Sequence, residues 1–443
     1  MLQELTAVCP EIRERCLEHL LACQECRDKL TSLRSVQSGP LAAKILPFGR
    51  GHALSDGYDP ALDSLAHSLR SIENAYGRER MAAPRLYAEL VQHSVERRTL
   101  LVRNCPRFHT WGFCELLLHR SRELNFQDPA LGESLALLAI EVLDHLDSSI
   151  YGPEPLEDLR ARAWAYVANS RRIRADLQGA EEAFDFALSF LRLGTGDPME
   201  KALVLDLKAS LLTRQRRFSN ALGLLRRASA IFLEVGETHR AGRALVKMSS
   251  VHSFAGEPEK AISLLHRALK LIDPAREPRL VLVAWQNLID DLIETGQFME
   301  AQKLLAKARP LYKQFTPWLS DTRRWIEGKI ARGLGQLDRA ESLFLSVRAS
   351  FLKESAPYDM ALISLELASL YAEQGRMAEL KRLSEEMIPI FSSRQIHREA
   401  LAALDYWRQA VEAERACAAL VAGVASFLKK ARHNPELRFQ RPE

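Results

Sequence analysis

A chain of 443 residues is too long for one compact core and ample for two or more units or an elongated array. Its 47% hydrophobic and 27% charged residues are those of an ordinary folded protein, and no run reaches the roughly 18 uninterrupted apolar residues that a membrane span requires. The 61 basic and 57 acidic residues leave a net charge of +4 spread over the whole chain, so direct binding of nucleic acid is not expected.

The chain opens on Met1-Leu2-Gln3-Glu4, which lacks the basic-then-apolar run of a secretion signal, and a cytoplasmic protein is expected. Four of the seven cysteines, Cys9, Cys16, Cys23 and Cys26, fall early, followed only by Cys105, Cys114 and Cys417. An odd count clustered in this way points to a metal or thiol site before a disulfide framework. Within residues 10–33 the spacing His19-x3-Cys23-x2-Cys26 sits on an amphipathic helical pattern. This head, residues 1–35, resembles the zinc-binding half of bacterial anti-sigma factors, small domains that sequester a sigma subunit of RNA polymerase. The resemblance implies zinc on His19, Cys23 and Cys26, with a fourth donor from Cys16, another part of the fold, or a second chain. A straight helix cannot bring Cys16 and Cys26 to one ion, so the helix must break near Cys23. The alternative is a small apolar stripe, since free cysteine buries like a small hydrophobe.

Residues 36–60 hold Gly39, Pro40, Pro47, Gly49, Gly51, Gly57 and Pro60 with few apolar anchors and read as a flexible linker. Helical spacing returns over 61–107, a segment expected to cap the array that follows.

From 108 to 395 the chain repeats. Alanine recurs at Ala180, Ala221, Ala261, Ala301 and Ala340, at spacings of 41, 40, 40 and 39, and Leu380 takes the same slot in a sixth copy. Five residues before it stand Gly256, Gly296, Gly335 and Gly375, with Ala175 and Arg216 in the two earlier copies. Glycine there can end a helix in the left-handed conformation. Twelve before it the residue is usually small, Ala168, Ala209, Ser249, Gly328 or Ala368, with Ile289 the exception. Four after it comes a bulky side chain, Phe184, Leu225, Leu265, Leu305 or Phe344; seven after it comes Ala187, Ala228, Ala268, Ala308 or Val347. Knobs facing holes at helical spacing are what two antiparallel helices need to pack closely. The pattern resembles the tetratricopeptide repeat. Trp164 and Trp285 fit its aromatic slot, Arg324 and Ser364 depart from it, and the period exceeds the usual length by about six residues. The resemblance implies an all-α, superhelical α-α solenoid of helical pairs, closed by capping helices over 396–443.

The common phosphate-loop, dinucleotide, metalloprotease and serine-hydrolase motifs do not occur. Gly194-Thr195-Gly196-Asp197-Pro198 reads as a connection between repeats. Asp290 and Asp291 are neighbours on a helix and point about 100° apart, which argues against a shared metal. Two basic clusters, Arg171, Arg172 and Arg174, then Arg214, Arg216 and Arg217, lie at ends of first helices, where cations complement the helix dipole; the other reading is a patch for an acidic ligand.

In tetratricopeptide arrays the first helix of each pair lines the binding groove. That resemblance implies a groove of Arg162, Asn169, Arg172, Asp206, Ser210, Arg214, Arg243, Ser250, Gln286, Asp290, Lys329 and Arg332, in which amides and hydroxyls could hydrogen-bond an extended backbone. Function is expected to be that of a non-enzymatic scaffold or adaptor for a protein or peptide partner. The alternatives are a transcriptional regulator whose head binds a sigma factor and whose solenoid senses, or a docking subunit of a larger nucleoprotein or defence complex.

Overall fold

A computed structural model describes residues 59–440, save 126, 316–319, 355–356, 388–397, 413–416 and 433–436; for 59–74, 353–354, 357 and 398–399 it describes backbone only. Among these residues every regular element is helical and there is no strand. The first helices are α1 (Asp59–Leu90), α2 (Val95–Asn104), α3 (Trp111–Leu124) and α4 (Pro129–Leu143), then a single turn, α5 (Ser148–Tyr151). Six helix pairs follow. They are α6 (Pro153–Ile173) with α7 (Leu177–Leu193), α8 (Pro198–Arg214) with α9 (Phe218–Glu234), and α10 (Thr238–Phe254) with α11 (Pro258–Leu271). The later three are α12 (Pro278–Glu294) with α13 (Phe298–Gln314), α14 (Ser320–Gly333) with α15 (Leu337–Glu354), and α16 (Pro357–Glu373) with α17 (Met377–Glu386). Two further helices, α18 (Arg398–Glu412) and α19 (Ala418–Ala431), come last. No helix among the described residues is long and apolar enough to cross a membrane.

The chain divides into two compact units, one of Met1–Leu211 with Ile231–Gly236 and one of Leu212–Ala230 with Glu237–Glu443. In the first, α6 packs on α7 and α4, and α3 on α1 and α4. In the second, α10 packs on α11, α12 on α11 and α13, and α14 on α15. Each is a stack of tetratricopeptide-like pairs.

The repeat positions account for this packing. Ala180, Ala221, Ala261, Ala301, Ala340 and Leu380 are all fully buried, as are Ala187, Ala228, Ala268, Ala308 and Val347. At Gly328 a methyl group would meet the ring of Phe344 at 2.5 Å, so α14 and α15 approach as closely as they do because one carries no side chain there. The helix-ending slot is left-handed in all six copies: φ is 79°, 75°, 73° and 67° at Gly256, Gly296, Gly335 and Gly375, and 65° and 57° at Ala175 and Arg216. At each, the next amide reaches back five residues, as Glu257 N–H does to the His252 carbonyl at 2.9 Å and Arg217 N–H to that of Leu212 at 2.8 Å. Two backbone bonds and a left-handed residue therefore end every first helix in the same way.

Unlike the first helices before it, α16 is apolar around most of its circumference, with Met360, Ala361, Leu362, Ile363, Leu365, Leu367, Ala368, Leu370 and Tyr371 buried. A helix of that kind needs cover on every side. Here α15, α17 and α19 supply it, and α19 turns the stripe Val421, Val424, Leu428 and Ala431 inward. An ion pair from Arg432 to Asp359, at 3.0 Å, fixes the end of α19 against the start of α16.

The head expected over 1–35, with Cys16, His19, Cys23 and Cys26, and the linker up to residue 58 lie outside the described residues. Among the described residues no group of three or more His, Cys, Asp or Glu side chains is placed to hold a metal ion. Cys105, Cys114 and Cys417 are free thiols. Burial pushes the Cys114 thiol up to about 12, so it is a packing residue and not a nucleophile.

Candidate functional site

Polar side chains, several of them on first helices, reach across a distance of about one repeat in the chain. In the first unit Arg171 and Arg174 clasp Glu133 at 2.8 and 2.7 Å, and Arg103 holds Glu141 at 2.8 Å. In the second unit Lys329 meets Asp290 at 2.6 Å, Ser253 donates to Asp291 at 2.8 Å, and Arg332 donates to Ser369 at 2.7 Å. The partners in these contacts lie 37 to 41 residues apart in the chain. Most of these contacts are part-buried, and the exposed pair, Arg103 with Glu141, contributes about 0–1 kcal/mol. Their main effect is to select one register between neighbouring pairs.

That ladder takes up many of the side chains expected to line a groove. In the first unit Arg162 is paired with Glu200, and Asn169, itself buried, accepts from Arg172 at 2.9 Å. Asp206 is half-buried, with Ser210 donating to its carbonyl at 3.3 Å. In the second unit Arg243 is paired with Glu277, Asp290 with Lys329, and Arg332 with Glu366 and Glu373. Gln286 is half-buried. Asp290 and Asp291 do diverge as helix geometry requires, one to α14 and the other to α10.

Three of the expected residues, Arg214, Ser250 and Asp290, come together in a groove of about 510 Å³ within the second unit. The end of α8 supplies Thr213 and Arg214, the turn after it Arg216, and α10 supplies Ser250, Ser253 and Phe254. The floor is α12, through Asn287, Asp290, Asp291 and Glu294. The far wall is Leu362 of α16 with Ser426, Lys429 and Lys430 of α19 and the adjoining Arg432. Asn287 donates to Ser250 at 3.2 Å, which ties floor to wall. Asp291 is 3% exposed, and while its Oδ1 accepts from Ser253, its Oδ2 has no hydrogen-bond partner. Burial, with the negative charges of Asp290 and Glu294 beside it, pushes its carboxyl up to about 7.

Gln286, expected in the groove, does not line it, and its neighbour Asn287 does. The spacing 287, 290, 291 and 294 is a helical stripe and could have shown the shift. The contribution of α19 had no comparable signal, because it lies beyond the last repeat and its position comes from packing on α16. The basic clusters part company: Arg171 and Arg174 face Glu133, whereas Arg214 and Arg216 line the groove. Gly194-Thr195 is a connection, its hydroxyl and amide both donating to the buried carboxylate of Asp158.

No protein-family model matches the sequence, and no curated protein matches it. Solved structures do share its fold. A Rap protein complexed with competence and sporulation factor superposes with a TM-score of 0.53 at 12% identity, over 72% of this chain and 87% of that one. The apo form of RapI gives 0.51 at 14% identity, over 71% and 86%. At such identities the likeness is one of architecture, and this chain is similar to those proteins as an array of tetratricopeptide-like helical pairs.

Proposed function

We propose that this chain is a non-enzymatic binding protein that holds an extended segment of a protein or peptide in the groove of its second unit. The observation that carries the reading is the groove itself: about 510 Å³, walled by successive first helices, with amide, hydroxyl, aromatic and charged groups of both signs. Such a lining suits a peptide, whose backbone needs donors and acceptors and whose side chains need pockets of mixed character. The similar Rap protein was solved in complex with competence and sporulation factor, which supports binding as the use of this architecture. A cytoplasmic setting belongs to the same reading.

Charge reversal at Arg214 together with Phe254→Ala tests it. Material purified from the native host with wild-type protein is compared by mass spectrometry with that held by the variant. The expected result is loss of a specific partner while the melting temperature moves by only a few degrees. Retention of every partner would place the working surface elsewhere.

The head carries a separate proposal, resting on His19-x3-Cys23-x2-Cys26 and its anti-sigma resemblance. Zinc would be held by His19, Cys23 and Cys26 with Cys16 or another donor, and a sigma factor would be the partner of that segment.

A further inference from the structure

A buried carboxylate oxygen without a partner is unusual in a folded protein, because leaving it unsatisfied costs the full desolvation of the group. Several carboxylate oxygens among the described residues are buried in this way, and that of Asp291 belongs to a residue of the groove floor. Its Oδ2 is buried without a hydrogen bond and shielded from solvent, while the residue, 3% exposed, stands on the floor of the groove. Asp290, next to it, is already answered by Lys329 at 2.6 Å. The neighbouring charges that raise its carboxyl, Asp290 and Glu294, are themselves acidic. Side-chain packing alone gives no reason to keep an acid there, since asparagine has the same shape and carries no charge to desolvate.

The geometry points to Asp291 as the seat for a cationic nitrogen of the bound peptide, an alkylammonium or guanidinium group whose N–H supplies the missing partner of Oδ2 when the carboxyl turns towards the groove. This rests on the reading of the groove as a peptide site. The rest of the lining narrows the class further. Arg214, Arg216, Lys429 and Lys430 stand on the walls around the acidic floor. A polybasic ligand would be repelled by those walls, whereas a segment with one cation flanked by acidic groups meets complementary charge throughout. Phe254, 46% exposed at the rim, offers an apolar face to the hydrocarbon stem of a lysine or arginine.

A lysine or arginine side chain and a free peptide N-terminus share this chemistry, and two pools of short random peptides separate them. One pool has both ends blocked and the other keeps its free amine. Each is passed over immobilised full-length protein, wild type and Asp291→Asn, and retained peptides are sequenced by mass spectrometry. The expected result is enrichment of peptides with a single lysine or arginine from the blocked pool, reduced about tenfold or more by Asp291→Asn. Retention confined to the free-amine pool, with the same loss in the variant, also supports the seat and identifies the terminus as its occupant. Melting curves accompany the binding, and Asp291→Asn is expected to melt at or above the wild type, so that lost binding is not lost folding. Retained peptides with the cation content of the starting pool, or equal retention by Asp291→Asn, would overturn the inference and leave the groove reading standing. Retention of no peptide by the wild type from either pool would overturn both.

Discussion

Ala175 and Arg216 stand at φ of 65° and 57° in a slot that the four later repeats fill with glycine. An L-residue there pays roughly 1–2 kcal/mol for the clash of its Cβ with the backbone, partly offset by the greater freedom glycine loses on folding. Ala175→Gly is therefore expected to stabilise the protein by about 1 kcal/mol, read as a higher urea midpoint; a lower midpoint would show that the turn is not under strain. The opposite sign is expected at Ala261, which is fully buried where α10 and α11 pack. Leucine there overpacks the contact and is expected to cost about 1–3 kcal/mol in the same measurement. Asp291 gives a third test, through pH. Its carboxyl is raised to about 7 by burial, so the folded chain holds this proton more tightly than the unfolded chain does. Its contribution to stability is then complete below about pH 4 and is lost as pH rises to about 7. Asp291→Asn should melt above the wild type at pH 8, with the gap narrowing towards pH 5. A constant gap across that range would mean that the acid does not titrate as its burial requires. The recurrence of small residues was legible in the sequence because it follows from a fixed period. The orphan oxygen was not, since it depends on which neighbour reaches Asp291 and which does not.

The helix pairs could be read from the chain because each one's requirements are local: a small slot, a bulky residue one turn on, and a left-handed stop. What joins one pair to the next is less local. Arg171 and Arg174 reach Glu133, 38 and 41 residues away, and Lys329 reaches Asp290, 39 away. Charges alone, with many possible mates, do not say which will meet. The same holds for α19. Its stripe of Val421, Val424, Leu428 and Ala431 announces an amphipathic helix, but only the apolar circumference of α16 decides where it docks. Val424→Asp places a charge in that interface and is expected to destabilise the protein by several kcal/mol. Because Lys429 and Lys430 line the groove, the same substitution should weaken binding there. A variant that melts like the wild type would show that α19 is not needed to cover α16.

At the scale of the molecule, the head is tested by its metal. Protein purified without chelator is expected to carry about one zinc per chain, as a four-coordinate structural site would, and Cys23→Ser and Cys26→Ser should each lose it. Equal and negligible zinc in all three would make the head a packed apolar helix. The amino-acid order by itself determined the class of fold and the beat of the array, because a repeat writes the same packing problem several times in one chain. It also determined the positions of the helix ends, which depend on a left-handed residue five before each buried alanine or leucine. Tertiary structure decided which first-helix charges pair across repeats and which line the groove. It also placed the C-terminal helix along α16 as one wall of that groove. The reason is physical: packing between neighbouring helices follows from side-chain size at a fixed spacing, whereas the state of a polar atom depends on every group that surrounds it in space.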